Sequence, residues 1–408
     1  MPKIQSKNWL LAALCFWAFL QPLSIAGANI AIALILLGLL SLRVNRLPSF
    51  KDSALQKPLW IYIIVGIISS AVMAGFKNGR GPLGRDLQLL ADFYIFSLAF
   101  GIANGFETFY FWMIGFSIAA FLGLAEFGLW KFFPIAASHF NEKILSSHFW
   151  SAFYATNRAH GTIHPVTFGE LMAMSGLGIL SWRMTRRRQG EKEKPWTMVS
   201  GILILSALAL SGTRGAWMGF AVGLLVLAAL DFRRVVFEFF TSLILIVSQF
   251  FLSPRFSQVS GGALSDRESS FKIHLALWKS AWKMFLDHPI LGVGPGRFGV
   301  FFGRYHSLPF GGQSTWGNAH DLYLQSLAER GIIGFCALGF LLGSMVFQSF
   351  KIYRKEHSFL SLWFLSWIVS LIFMSLTESA FQVAMIWMPT IALYAWMESR
   401  NRINERKQ

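Results

Sequence analysis

The sequence predicts an all-α integral membrane protein of about twelve transmembrane helices, with one long extramembrane segment that carries an amphipathic helix. Three observations predict it. First, of 408 residues 54% are hydrophobic and only 14% charged, where soluble domains carry roughly 25% charged residues. Second, the apolar residues are gathered into runs near the length that crosses a bilayer, about 20 residues. A soluble fold would instead alternate apolar and polar positions. Third, the positive charge lies between the runs, which is how membrane proteins set their orientation.

In order, the apolar runs cover 9–26, 27–42, 58–75, 87–103, 108–130, 165–182, 198–212, 215–230, 235–253, 321–349, 360–376 and 380–397. No Gly/Ser-rich linker, low-complexity stretch or internal repeat separates them, so residues 1–408 read as one polytopic membrane domain with a long outer segment at 254–320. Lys3 and Lys7, the apolar stretch to Leu20, Pro22 and the small Ala26 and Ala28 also resemble a secretory signal peptide. The run is read here as a retained first span, and its cleavage would leave the later topology unchanged.

Lys and Arg then set the sidedness. Lys3 and Lys7, the loop from Arg43 to Lys57, the cluster Arg183 to Lys194, Arg233 and Arg234, Lys351 to Lys355, and the tail from Arg400 to Lys407 all fall on one side of a twelve-span chain. By the positive-inside rule that side is the cytoplasm and holds both termini, as in a bacterial inner-membrane protein. A net charge of +16 distributed in this way points to a bilayer and not to nucleic acid. Cys15 and Cys336 both lie in apolar runs, which excludes a disulfide framework and a cysteine metal site.

The opposite side holds the informative residues. Lys77, Arg80, Arg85, Arg158, Arg214, Arg255, Arg267, Lys272, Lys279, Lys283, Arg297 and Arg304 run against the positive-inside tendency there. They suit either anionic lipid headgroups or a pyrophosphate-bearing substrate, because the planar guanidinium fork matches phosphate oxygens. Lys77, Arg80, Arg85 and Arg158 are candidate phosphate contacts on this ground. Arg214, in Ser211-Gly-Thr-Arg-Gly-Ala-Trp217, sits in a turn tight enough to hold it at the membrane surface; snorkelling to the interface is the plainer reading.

Residues 268–288 place Phe271, Leu275, Trp278, Trp282 and Phe285 at three- and four-residue spacing, with Lys272, Lys279 and Lys283 off that stripe. Such a helix lies in the membrane interface or packs on the bundle. The glycines of Leu291-Gly-Val-Gly-Pro-Gly296 allow tight turns and close backbone approach, but no Gly-Lys-Ser/Thr follows to make a phosphate-binding Walker loop. In Gly317-Asn-Ala-His320-Asp321, Asn318 suits an N-cap, with Asp321 as its acidic partner three residues on. His320 would then sit in the first turn, where the positive helix end favours the neutral imidazole that a general base requires; a histidine merely lodged in the interface is the alternative. Asp92, Glu126, Glu170, Glu238 and Glu378, in or near spans, are functional candidates by position alone, and they would also suit a transporter. His160 and His164 are four apart, but Gly161 and Pro165 argue against a helical metal pair and no carboxylate completes a ligand set, so no metal and no cofactor is expected.

Together these stretches resemble the O-antigen ligase family, which shares a superfamily with O-antigen polymerases and some bacterial O-oligosaccharyltransferases. The resemblance rests on Ser211 to Trp217, on Asp266-Arg267 leading into the Trp-rich helix, on Leu291 to Gly296, and on His320 to Gly334. Its clear part covers about 205–335. One departure is Asp321, where the pattern usually has Asn, Ser or Gln; the nine-residue spacing to Gly331 and Gly334 is kept. The resemblance implies metal-independent, inverting glycosyl transfer at the periplasmic face, from an undecaprenyl-pyrophosphate-linked polysaccharide to a sugar hydroxyl of lipid A–core. His320 would deprotonate or orient that hydroxyl, and Arg214 and Arg267 would hold the pyrophosphate. An O-antigen polymerase, with the same donor and a lipid-linked acceptor, is the nearest alternative. A lipid-linked glycan transporter is the alternative of another class, although the repeated halves of transporters are not visible here.

Overall fold

A computed structural model describes residues 2–42, 53–74, 80–132, 158–252, 264–305 and 316–406. Every regular element among them is helical: α1 (Pro2–Leu20), α2 (Ile25–Ser41), α3 (Gln56–Ser69), α4 (Arg80–Ile102), α5 (Glu107–Phe132), α6 (Pro165–Arg188), α7 (Pro195–Leu210), α8 (Arg214–Leu252), α9 (Leu264–Asp287), α10 (Phe298–Tyr305), α11 (Leu322–Glu356), α12 (Phe359–Met374) and α13 (Ala384–Glu405). A helix satisfies its own backbone groups, so it is the form in which an apolar run enters a bilayer. Four stretches, Gln56–Met73, Glu107–Leu129, Arg214–Arg234 and Leu322–Glu356, are long and apolar enough to cross one, and several shorter apolar helices accompany them. Most of each interval expected from hydropathy is helical, although 9–26 crosses the turn at 21–24 between α1 and α2. The runs 215–230 and 235–253 share α8, which breaks at Asp231, where ψ is 78°.

The chain divides into two compact units. The first comprises residues 1–46, 98–253 and 357–370. Its centre is α6, buried without interruption from Thr167 to Trp182, with α5, α7 and α8 packed against it. The small residues of α6 allow this: a Cβ at Gly178 would lie 2.6 Å from the Trp363 ring, whose Nε1 donates to the Met174 carbonyl at 2.9 Å. Trp182 stacks on Phe109 at 4.9 Å and meets Phe359 edge-on at 4.9 Å.

The second unit comprises residues 47–97, 254–356 and 371–408. There α13 is the enclosed helix, buried from Met385 to Ser399. Its Glu398 accepts from the Ser53 hydroxyl at 2.8 Å and from Arg402 at 2.6 Å. The amphipathic helix α9 packs on α11 in this unit and is not a separate body. Its buried stripe is Ala276, Leu277, Ser280, Ala281 and Met284, which meet Val293, Phe298, Phe302, Ala319 and Ala328. The aromatic stripe lies off this buried face: Trp282 is 48% exposed. Small residues permit closer helix contact than Trp does, so they take the inner face and leave Trp282 outside.

The run 321–349 is not one continuous helix. At Gly331 α11 breaks, with φ 63° and ψ −166°, and the Gly-rich loop fits into the break. Val293 N donates to Ala328 O (2.8 Å), Gly294 N to Glu329 O (2.9 Å) and Ile332 N to Pro289 O (2.8 Å). Backbone groups that lose helical partners at the break thus find them in the loop. A Cβ at Gly292 would lie 2.3 Å from the Glu329 carbonyl carbon, and one at Gly331 2.3 Å from that of Ile290. The glycines serve approach between two stretches of this chain's own backbone.

Candidate functional site

His320 lies in the second unit, just ahead of α11. The expected capping is corrected by three residues: Asp321, and not Asn318, is the cap, its Oδ1 accepting from Tyr323 N and Leu324 N at 2.8 Å each. Asn318 Oδ1 instead accepts from His320 N at 3.2 Å, and buried Gln325 accepts from Ala319 N at 2.6 Å. His320 is therefore outside the helix, with φ 49°. A left-handed backbone is uncommon for a non-glycine residue and persists only where its surroundings hold it. Here Asn318 before it and Asp321 and Gln325 after it do so.

This turn aims the imidazole at Glu378, with Nδ1 3.4 Å from Oε2. The two residues are 58 apart in sequence and meet because the start of α11 is tied to the end of α12. Leu322 N donates to Ser375 O at 2.9 Å, and the Tyr323 hydroxyl to Ile372 O at 2.7 Å. An ionised carboxylate only accepts, so it places the proton on Nδ1 and leaves Nε2 with a lone pair. Both side chains are partly open, at 33% and 23% exposure. His274 of α9 and Trp316 meet the His320 ring edge-on, with centroids 5.4 and 6.1 Å away. Glu378 was visible in the sequence only as a polar residue near a span. His274, one turn before Trp278 in an aromatic-rich helix, was overlooked.

Arg214 lies in the first unit, exposed at the N-terminus of α8. Its turn is tightly built. Arg158 donates from Nε to Ser211 O and from Nη2 to Thr213 Oγ1, both at 2.6 Å, while Thr213 Oγ1 donates to Pro165 O at 3.1 Å. Arg158 thus supports the turn that presents Arg214. Beside it, His160 pairs with Glu126 at 3.1 Å, and His164 accepts from Val166 N at the start of α6. No group of three or more His, Cys, Asp or Glu side chains among the described residues is placed to hold a metal.

The other basic candidates fall out as follows. Arg267 lies in the first turn of α9 and Arg80 begins α4, without a description of either side chain; Lys77 is outside the described residues. Arg85 is exposed and lines a small cleft of about 40 Å³ in the second unit, with Asp86, Tyr62, Glu329, Arg330 and Trp387. Here the sequence had hidden a buried ion pair. Arg330 Nη2 donates to both Asp86 oxygens at 2.8 Å, and its guanidinium lies 4.6 Å from the Tyr62 ring centre. Gly66 of α3 makes room for it, since a Cβ there would fall 2.3 Å from Arg330 Nη1. Neighbouring Glu329 accepts from Phe298 N at 3.1 Å and so fixes the end of the Gly-rich loop.

Comparison with known proteins agrees with this picture. Residues 199–339 match the family model described as O-antigen ligase. A Haemophilus influenzae protein of uncharacterised function is 25% identical over 170 residues, which is 38% of this chain and 43% of the relative. The chain therefore spans less than half the length of that relative. The matched region begins in α7 and ends in α11, taking in Arg214, α9, the Gly-rich loop and His320. Through residues 199–339, the chain is similar to the O-antigen ligase family.

Proposed function

We propose that the protein is a membrane glycosyltransferase that acts as an O-antigen ligase. It moves a polysaccharide from undecaprenyl pyrophosphate to a sugar hydroxyl of lipid A–core at the periplasmic face of the inner membrane. The observation that carries the reading is the His320–Glu378 pair. With Nδ1–H held by Glu378, Nε2 takes the proton of the acceptor hydroxyl as its oxygen attacks the anomeric carbon. The carboxylate stabilises the imidazolium formed in that step, as in other carboxylate-oriented histidines. The bond from the anomeric carbon to pyrophosphate oxygen breaks, and a single displacement inverts that carbon. Pyrophosphate is a stable anion, so cationic side chains suffice to balance its charge. By the family resemblance Arg214 and Arg267 supply this; Lys77, Arg80 and Arg85 are further phosphate contacts on the ground of their charge and expected side, while Arg158 acts by supporting the turn that presents Arg214.

The test is transfer by the reconstituted full-length protein, given an undecaprenyl-pyrophosphate glycan and lipid A–core, with products resolved on a gel. Wild type forms the lipid A–core conjugate with or without EDTA, and His320→Ala lowers the rate by about 10²-fold or more. A lengthened lipid-linked glycan with no conjugate would make the protein a polymerase. Full activity of folded His320→Ala would end the general-base reading.

A further inference from the structure

His320 belongs to a row of four rings. On α9, His274 and Trp278 are one turn apart, with centroids 6.2 Å from each other. His274 continues to His320 at 5.4 Å, and His320 to Trp316 at 6.1 Å, each pair edge to face. All four residues are only partly buried, so the row has an open side. The indole Nε1 atoms of Trp278 and Trp316 are shielded from bulk solvent, and neither has an acceptor among the described residues. Indole N–H is a donor only. The row therefore presents an aromatic surface beside His320 and carries at each of its ends a shielded indole donor that lacks an acceptor among the described residues.

We propose that Trp278, His274 and Trp316 form a subsite for one pyranose ring, set so that a hydroxyl of that ring reaches His320. A pyranose has an apolar C–H face that lies against aromatic rings, and a girdle of hydroxyls that accept from N–H groups. An acyl or prenyl chain would cover the rings but leave both donors unmet. The subsite deepens the transferase reading and rests on it, because it names the sugar that His320 addresses. That sugar comes from the acceptor or from the reducing end of the donor glycan, and the assay separates the two.

The experiment uses the full-length reconstituted protein with Trp278→Phe and Trp316→Phe, singly and together. Phe keeps a ring and removes the N–H. Trp282→Phe, on the exposed side of the same helix, is the control. Steady-state transfer is measured with acceptor and donor varied in turn, and binding of lipid-free core oligosaccharide is followed by calorimetry. Each single change raises KM for one substrate by about tenfold while kcat stays within about twofold, the loss expected for one hydrogen bond. A rise in the acceptor's KM, with weakened oligosaccharide binding, places the acceptor sugar in the subsite; a rise in the donor's KM places the donor sugar there. Unchanged KM for both substrates in the folded double variant overturns the subsite, even where His320→Ala abolishes transfer and the transferase reading stands. Full transfer by His320→Ala would instead bring down the reading beneath it.

Discussion

At the scale of single residues, the site depends on how His320 is held. Its φ of 49° is maintained by Asn318, by the Asp321 cap and by the Gln325 bond to Ala319. Asp321 departs from the usual family residue, yet Asn and Ser, two of the usual choices, are also N-caps. The departure preserves the local structure. Glu378 faces the His320 imidazole, and Glu378→Gln is expected to lower kcat by about 10–100-fold with little change in KM, as for other groups that orient a histidine. Glu378→Asp, which keeps the carboxylate, retains part of the rate. An unaltered kcat in Glu378→Gln would show that Glu378 has no part in the step. Neither the pairing nor the turn was legible in sequence, since one spans 58 residues and the other depends on which residue first adopts helical geometry.

At the scale of elements, the Gly-rich loop and the His-bearing helix form one device. A Gly-x-Gly-Pro-Gly stretch, read alone, suggests a cradle for phosphate; here its backbone crosses the break in α11. The break ends the short segment from Leu322 to Arg330 that carries the His320 turn, so the loop fixes the direction of that segment. Gly331→Ala should cost about 3 kcal/mol or more, because its φ and ψ are open in practice only to glycine and a Cβ would strike Ile290. Thermal unfolding in detergent checks this, and a melting temperature equal to wild type would refute it. The Arg330–Asp86 pair, with both side chains 8% exposed, makes a second prediction. Asp86→Leu strands a buried guanidinium and should destabilise by about 3–5 kcal/mol, whereas Asp86→Leu with Arg330→Met should recover most of the loss. A double variant no better than the single would mean that the pair supplies net stability.

At the scale of the whole molecule, the expected sidedness makes the Arg183–Lys194 loop cytoplasmic and the His320 turn periplasmic. In a Cys15→Ser, Cys336→Ser background, Gly317→Cys should react in intact spheroplasts with a membrane-impermeant maleimide. Arg188→Cys should react only after the membrane is opened. The reverse pattern would invert the topology and remove the site from the periplasmic face. The charge pattern alone makes this prediction, because loops rich in Lys and Arg resist translocation.

The sequence by itself determined the all-helical membrane class, the positions of the apolar helices and the family stretch around Arg214 and His320, since each is written in local composition, period or contiguous motif. Only the tertiary structure decided which face of α9 is buried, where α11 breaks, that Asp321 caps it, and that Glu378, His274 and Trp316 surround His320. Small residues outcompete aromatics for close helix contact. Backbone groups freed at a break are satisfied wherever a neighbouring strand of chain can approach. A side chain's partners across 58 residues are set by packing, which no local pattern records.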